Sequence, residues 1–306
     1  MNTTPSFTHT LRQRWQAADS MLCVGLDPDP ARIPAHLGTG PEAIDRFCRD
    51  IIAATADTVC AFKPQIAYFA AQGAEDVLAG LITHIHAEHP GIPVILDAKR
   101  GDIGSTARQY GVEAFDRFKA DALTLSPFMG FDSIEPYFEW AGRGLILLCR
   151  TSNPGGNDLQ ALSVLPAGNA TGTPPGAPSP RQSASDTTSS AQPEKLYEHL
   201  ARLAAGPWNV SGELGLVVGA TFPDELARVR ALAPRLPLLV PGVGAQGGDV
   251  NATVRAGLDA DGYGLVINSS RAILYAGKGT DFADQARKAA VATRDAIRAA
   301  RDAARA

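Results

Sequence analysis

Eight short apolar runs punctuate this chain, and their regular alternation with amphipathic stretches limits the folds open to it. The runs cover residues 21–27 (MLCVGLD), 58–63 (TVCAFK), 92–99 (IPVILDAK), 121–126 (DALTLS), 144–150 (GLILLCR), 214–221 (LGLVVGAT), 236–243 (LPLLVPGV) and 261–270 (DGYGLVINSS). They are short, continuous and rich in Val, Ile and Leu, as strands buried on both faces of a parallel sheet are. Between them, apolar residues recur at helical spacing: Ile44, Phe47, Cys48, Ile51 and Ile52; then Val77, Leu78, Leu81, Ile82 and Ile85; then Leu226, Val229 and Leu232, with Pro223, Asp224 and Glu225 in the first turn. Eight strand–helix units predict a single-domain α/β protein of the (β/α)8 TIM-barrel type. A doubly wound open sheet is the structural competitor.

The chain has 306 residues, 45% hydrophobic and 20% charged, which is enough for one large barrel with a substantial core. One segment breaks the alternation. Residues 167–193 are rich in Ser, Thr, Pro, Gly and Ala, a composition that buries too little apolar surface to offset its ordering entropy. It reads as a flexible surface excursion between strands five and six, after which EKLYEHLARLAA (194–205) resumes the fold. The Ala/Arg-rich tail after Thr280 reads as a terminal helix, with Asp281 near its start.

Charge excludes some partners. The net charge is −4 with no basic domain, so no nucleic acid is expected. The N-terminus lacks an apolar signal core and no 18-residue apolar window occurs, so neither export nor membrane insertion is expected. Cys23, Cys48, Cys60 and Cys149 show no CxxC pair and no metal-ligand spacing; they read as reduced, buried residues of a cytoplasmic protein.

In a barrel of this type, chemistry gathers at the C-terminal ends of the strands. Those ends carry Asp27; Lys63 and Gln65; Asp97 and Lys99; Ser126; Arg150 to Asn153; the Gly-rich 241–248 stretch; and Asn268 to Arg271. The third end is the most unusual, for LDAKRGDIGSTA (96–107) sets Asp97, Lys99, Arg100 and Asp102 within six residues. Asp97 and Lys99 are two apart and face the same way on a regular strand. Each favours the charged form of the other, and Lys63 would join them from strand two. A structural ion pair at the rim is the plain reading of Asp97 and Lys99 alone.

The stretch PGVGAQGGD (241–249) formally matches GxGxxG. That fingerprint belongs early in a dinucleotide-binding unit. Here it follows the seventh strand, where a phosphate site made with the eighth fits better. Glycines expose backbone N–H groups to an anion, Gln246 can donate a side-chain N–H, and Arg271 can grip phosphate through two donors. A Gly-rich turn without ligand is the alternative. His84 and His86 are i,i+2 on a helix and point apart, which disfavours a metal site. Ser126 has no histidine partner in sequence and is not read as a nucleophile.

With these residues in hand, the chain resembles the orotidine 5′-phosphate decarboxylases, in the subgroup called type 2. The resemblance runs from about residue 22 to 271. Asp97, Lys99 and Asp102 match the family's D-x-K-x-x-D signature, and PGVGAQGG with Arg271 is the second match; GLDPDP, FKPQ and TSNPGG support them. The resemblance implies a homodimer that decarboxylates orotidine 5′-monophosphate to UMP, the last step of de novo UMP biosynthesis, with no cofactor and no metal. Lys63, Asp97, Lys99 and Asp102 would surround the C6 carboxylate, with Asp102 supplied by the second subunit, and Lys99 would protonate C6. Asp27 and Lys63 would contact the ribose, with the partner's Thr106 nearby. Ser126 would bind the pyrimidine amide edge, and Gln246, Arg271 and Ser270 the 5′-phosphate.

Two alternatives stay open. The same D-x-K-x-x-D pattern occurs in magnesium-dependent barrels that act on keto-sugar phosphates, and the paired Lys63 and Lys99 argue against them. A non-catalytic phosphate-ligand sensor is the other; it would have little reason to keep Lys99 buried beside two acids.

Overall fold

The computed structural model describes residues 6–165, 192–243 and 248–305. Eight parallel strands form one sheet: β1 (Leu22–Leu26), β2 (Ala61–Pro64), β3 (Ile95–Arg100), β4 (Ala122–Leu125), β5 (Gly144–Arg150), β6 (Leu214–Val218), β7 (Leu238–Pro241) and β8 (Leu265–Ser269). Their order around the sheet is β2-β1-β8-β7-β6-β5-β4-β3. The two ends of that order meet through bridges between Phe62 and Val94 and between Gln65 and Asp97, which close the barrel. The barrel stands, and the open doubly wound sheet does not. Each strand is a Val/Ile/Leu run because both of its faces are covered, the inner by the barrel interior and the outer by helices.

The helical periodicities read from the sequence become α-helices at those places. After an N-terminal helix α1 (Phe7–Ala18) come α2 (Gly40–Thr55), α3 (Glu75–Glu88), α4 (Gly104–Gly111), α5 (Leu196–Ala205), α6 (Pro223–Leu232), α7 (Val250–Gly257) and α8 (Phe282–Arg305). Ile44, Phe47, Cys48, Ile51 and Ile52 form the buried stripe of α2. Leu226 and Val229 do the same in α6, opened by Pro223 in its first turn and by Asp224 and Glu225, which complement the helix dipole. One region differs from the eight-unit pattern. The β4–β5 connection holds no α-helix, only the 3₁₀ turns Phe131–Ser133 and Glu135–Glu139. Gly130 at φ 82° and Pro136 at the start of the second turn interrupt any longer helix.

Helix α1 was not expected. Ser6 caps it by accepting from His9 N–H at 3.3 Å, and Phe7, Leu11 and Trp15 recur every four residues as its buried stripe. It touches the strands at their N-terminal ends. Phe7 N–H donates to Gly142 O, Thr8 bonds Glu213 through both backbone and hydroxyl, and Arg14 donates to Ala56 O and Val59 O. It therefore closes the end of the barrel opposite the functional mouth.

The Ser/Pro-rich excursion falls almost wholly outside the described residues. Its flanks are joined by a two-residue antiparallel ladder, Ser163 with Lys195 and Val164 with Glu194. All four cysteines are buried and unpaired, and among the described residues no helix is long and apolar enough to cross a membrane.

Arg150, at the end of β5, anchors the loop that follows. Its guanidinium is fully buried, ion-paired with Glu225, bonded to Asn157 Oδ1 at 2.6 Å and set over the Phe222 ring at 4.0 Å. Arg150→Met keeps the bulk but strands these partners. It should lower the free energy of unfolding by roughly 2–4 kcal/mol, measured by urea denaturation.

Candidate active site

At the C-terminal mouth of the barrel lies a cavity of about 500 Å³. Its floor is a charged cluster centred on Asp97. Lys63 Nζ donates to Asp97 Oδ2 at 2.8 Å, and Lys99 Nζ donates to Asp97 Oδ1 at 2.6 Å. The side chains of Lys63 and Asp97 keep only 6% and 11% of their surface, whereas that of Lys99 keeps 46%. Lys99 thus rises from a buried pair into the open cavity; the expectation of a buried Lys99 is corrected, because only its carboxylate partner is enclosed.

Burial alone would discharge Lys63, yet the Asp97 and Asp27 carboxylates outweigh it and hold its pKa above the ordinary lysine value. Burial likewise opposes ionisation of Asp97, and the two ammonium groups overcome it, keeping this carboxyl well below the usual range. Lys63 and Asp97 are therefore both charged at neutral pH.

The backbone beneath the cluster is irregular. Leu96 of β3 pairs with Leu123 of β4, and Arg100 pairs with Leu125. Residues 97 to 99 therefore face Thr124 alone, and Lys99 takes the left-handed conformation at φ 49°, uncommon and costly for a residue with a side chain. Pleat alternation is thus not what brings Asp97 and Lys99 together; a bulge does so. Arg100, beyond it, turns outward to a two-pronged pair with Glu113 and lies over the Tyr110 ring at 4.6 Å. Of the four charges crowded into this stretch, two serve the cavity and one braces helix α4.

The opposite wall comes from β1 and β8. Asp27, Asn268, Ser270 and Arg271 all line the cavity. Asp27 Oδ1 and Asn268 Oδ1 are buried acceptors without a hydrogen-bond partner among the described residues. Gly25 allows this wall to form, for a Cβ there would sit 1.9 Å from Ser270 Oγ. Arg271 is exposed, and among the described residues its guanidinium forms no ion pair or hydrogen bond.

Comparison with known proteins agrees with this geometry. Residues 20–170 match the family model described as orotidine 5′-phosphate decarboxylase / HUMPS family. Over 295 residues the chain is 63% identical to the orotidine 5′-phosphate decarboxylase of Azoarcus sp., a match that takes in 96% of this chain and 99% of that protein. The chain belongs to the orotidine 5′-phosphate decarboxylase family. The enzyme of that name from Dechloromonas aromatica is 60% identical over 95% of this chain and 98% of its own. Among solved structures, Leishmania donovani OMP decarboxylase superposes with a TM-score of 0.76 at 39% identity, over 97% of this chain and 99% of that one. Leishmania donovani UMP synthase does so with 0.76 at 41% identity, over 96% of this chain and 57% of that one.

Within this family framework the expected residues divide. Lys63, Asp97, Lys99, Asp27, Ser270 and Arg271 converge on one cavity. Gln246 lies outside the described residues. Asp102 and Thr106 do not reach the cavity of their own chain: Asp102 Oδ1 accepts from Ile103 N–H at 2.8 Å, and Thr106 stands exposed on α4. Ser126 is placed apart from this group. Beyond β4 the chain turns away, with Ser126 N–H bonded to Arg100 O at 2.7 Å, and its side chain lines a neighbouring apolar pocket instead. Thr151, Ser152 and Asn153 occupy the cavity wall where a polar edge would be read; the TSNPGG stretch was their signal. Gln160 fixes that wall by accepting from Thr151 N–H at 2.8 Å and donating to its Oγ1 at 2.9 Å. No sequence signal marked it, because its partner is nine residues away across an irregular loop. Gln65 also gains a place: it bridges Asp97 at the barrel seam, and its Oε1 accepts from Ala67 N–H at 3.3 Å.

Asp97→Asn would leave Lys63 buried against a neutral partner, at a cost of about 3 kcal/mol near neutral pH. The sign of its pH dependence follows from the shifts. Asp97, depressed in the fold, stabilises above the unfolded carboxylate value of about 4 and loses that contribution as pH falls through its folded value. Lys63, raised in the fold, contributes fully below about 10.4 and loses its contribution as pH rises through its folded value. The wild-type advantage over Asp97→Asn should therefore be flat between those limits and shrink on the acid side, measured by denaturant titration across pH.

Proposed function

We infer that this chain decarboxylates orotidine 5′-monophosphate to UMP, as a carbon–carbon lyase of pyrimidine biosynthesis. The observation that carries the reading is Asp97 held between two lysines at the floor of a cavity whose far wall presents Arg271. Near-full-length identity of 63% to an orotidine 5′-phosphate decarboxylase supports it.

The chemistry follows from the charges. Breaking the C6–carboxylate bond leaves its electron pair on an sp² carbon that the ring delocalises poorly. The Lys99 ammonium, aimed into the cavity, gains attraction as that charge develops and then passes a proton from Nζ to C6; water reprotonates the amine. Asp97 fixes Lys99 and disfavours the substrate carboxylate beside it. The slowest uncatalysed reactions call for stabilisation on the order of 20 kcal/mol, so remote contacts must contribute. Arg271 and Gln246 would take the 5′-phosphate, with Ser270 beside them, and Asp27 and Lys63 the ribose. The buried acceptor Asp27 Oδ1 suits a hydroxyl donor. Thr151, Ser152 and Asn153 offer a polar wall for the pyrimidine amide edge, the role that the family resemblance gives to Ser126.

Asp102 and Thr106 enter this scheme through a second copy of the chain. A homodimer with shared sites would deliver Asp102 to Lys99 from the partner loop. A cytoplasmic setting suits a biosynthetic enzyme without a membrane-crossing helix among its described residues.

The magnesium-dependent sugar-phosphate reaction is less well served. A dication on Asp97 would face two ammonium groups, both already within hydrogen-bond reach of that carboxylate. The test is purified protein with orotidine 5′-monophosphate, followed by loss of its ultraviolet absorbance with and without EDTA. Equal conversion to UMP in both is expected; conversion only of a keto-sugar phosphate, abolished by EDTA, would overturn the reading.

Lys99→Ala should lose at least a thousandfold in kcat while still binding UMP, read by calorimetry. Mixed with inactive Asp102→Ala, it should regain part of the activity through hybrid dimers. Verified subunit exchange without recovery would remove Asp102 from a shared site.

A further inference from the structure

Thr124 was legible in sequence only as one polar residue in the run DALTLS. In the structure it lies beneath the reacting groups, buried in β4 opposite the bulge of β3. Its hydroxyl spends every bonding site it has. Oγ1 donates to Asp97 Oδ1 at 3.0 Å and accepts from the backbone N–H groups of Ala98 and Lys99, each at 3.0 Å. One donor and two lone pairs are the whole capacity of a threonine hydroxyl.

The geometry has a reason. Where three residues of β3 face one residue of β4, the regular ladder has no carbonyl for the displaced amides, and a buried amide without a partner is costly. The Thr124 hydroxyl stands in for the missing carbonyls, and its own proton goes to the same carboxylate oxygen that receives Lys99 Nζ. One atom therefore fixes the left-handed backbone of Lys99, the orientation of Asp97 and the point where the ammonium meets the carboxylate.

We propose that Thr124 is a positioning residue for the decarboxylation, holding the Asp97–Lys99 pair aimed at C6 through its hydroxyl. This rests on the function proposed above. Thr124 need not touch the phosphate, ribose or base; it acts through Asp97 and Lys99. Its loss is thus expected in the chemical step rather than in binding, since a misplacement of about 1 Å in a preorganised site can cost on the order of a hundredfold.

The test compares Thr124→Val, which keeps the shape and removes the hydroxyl, with Thr124→Ser, which keeps the hydroxyl and removes a methyl. Thr124→Val should lower kcat by ten- to a hundredfold with KM and the UMP dissociation constant within threefold of wild type, and Thr124→Ser should recover most of kcat. A merely structural role would instead lower thermal stability in both variants and leave kcat per folded molecule unchanged. Wild-type kcat in a folded Thr124→Val, or equal losses in Val and Ser variants, would overturn the proposal. If Thr124→Val does not fold, Thr124→Cys, with a thiol that bonds weakly, takes its place with the same expectation. A wild-type chain that converts no orotidine 5′-monophosphate would sink the underlying function, and so is distinguishable from failure of this inference alone.

Discussion

The carboxylate of Asp97 is the point on which this structure turns. It is buried, and buried charge is tolerated only where opposite charge and hydrogen bonds compensate it. Two lysines and a threonine hydroxyl supply that compensation. The arrangement is asymmetric. On one side the enclosed Lys63 secures the ionised state of the carboxylate; on the other Lys99 is held at its backbone by Thr124 and at its ammonium by Asp97, with nearly half of its side chain open to the cavity. A site of this design keeps an ammonium directed without enclosing it, as a group that must meet a developing carbanion requires.

The second constraint is backbone geometry. A regular β3 would have sent Ala98 to the face opposite Asp97 and Lys99 and left both side chains on parallel paths. The bulge gives up ladder bonds and a favourable φ at Lys99 to bring Nζ onto Oδ1. Such irregularity persists where surrounding structure over-determines it. Here the bracing is visible on both sides: Thr124 beneath, and Arg100 with Glu113 and Tyr110 beyond.

How much of this was legible in sequence depends on the range of the interaction. The strands were legible because burial on two faces demands continuous apolar runs, and α2, α3 and α6 because a helix must carry a stripe. Lys63, Asp97 and Lys99 were legible because strand ends of a barrel converge. Thr124 was not, since a hydroxyl in a strand gives no sign that its partners are the amides of a neighbouring bulge. The placement of Ser126 beside a neighbouring pocket was not legible for the same reason: only the path of the chain beyond β4 reveals it. Helix α1 was overlooked because its stripe of Phe7, Leu11 and Trp15 lies in an otherwise polar segment. Asp102 lies apart from the other charges within its own chain, where its Oδ1 accepts from Ile103 N–H.

The closing seam of the barrel has a consequence for how such a scaffold can change. Between β2 and β3 the sheet is joined by isolated bridges, and one of them pairs Gln65 with Asp97 itself. The central acid of the site is therefore also a stitch in the wall. Substitutions on β8 or on the loop after β5 can reshape what the cavity recognises and leave the joint untouched. A change of the Asp97 side chain alters the chemistry and also removes the ion pair to Lys63 that spans the same joint. New specificities on this frame are accordingly reached most cheaply from the far wall, with the acid and its two lysines carried along as an inherited unit.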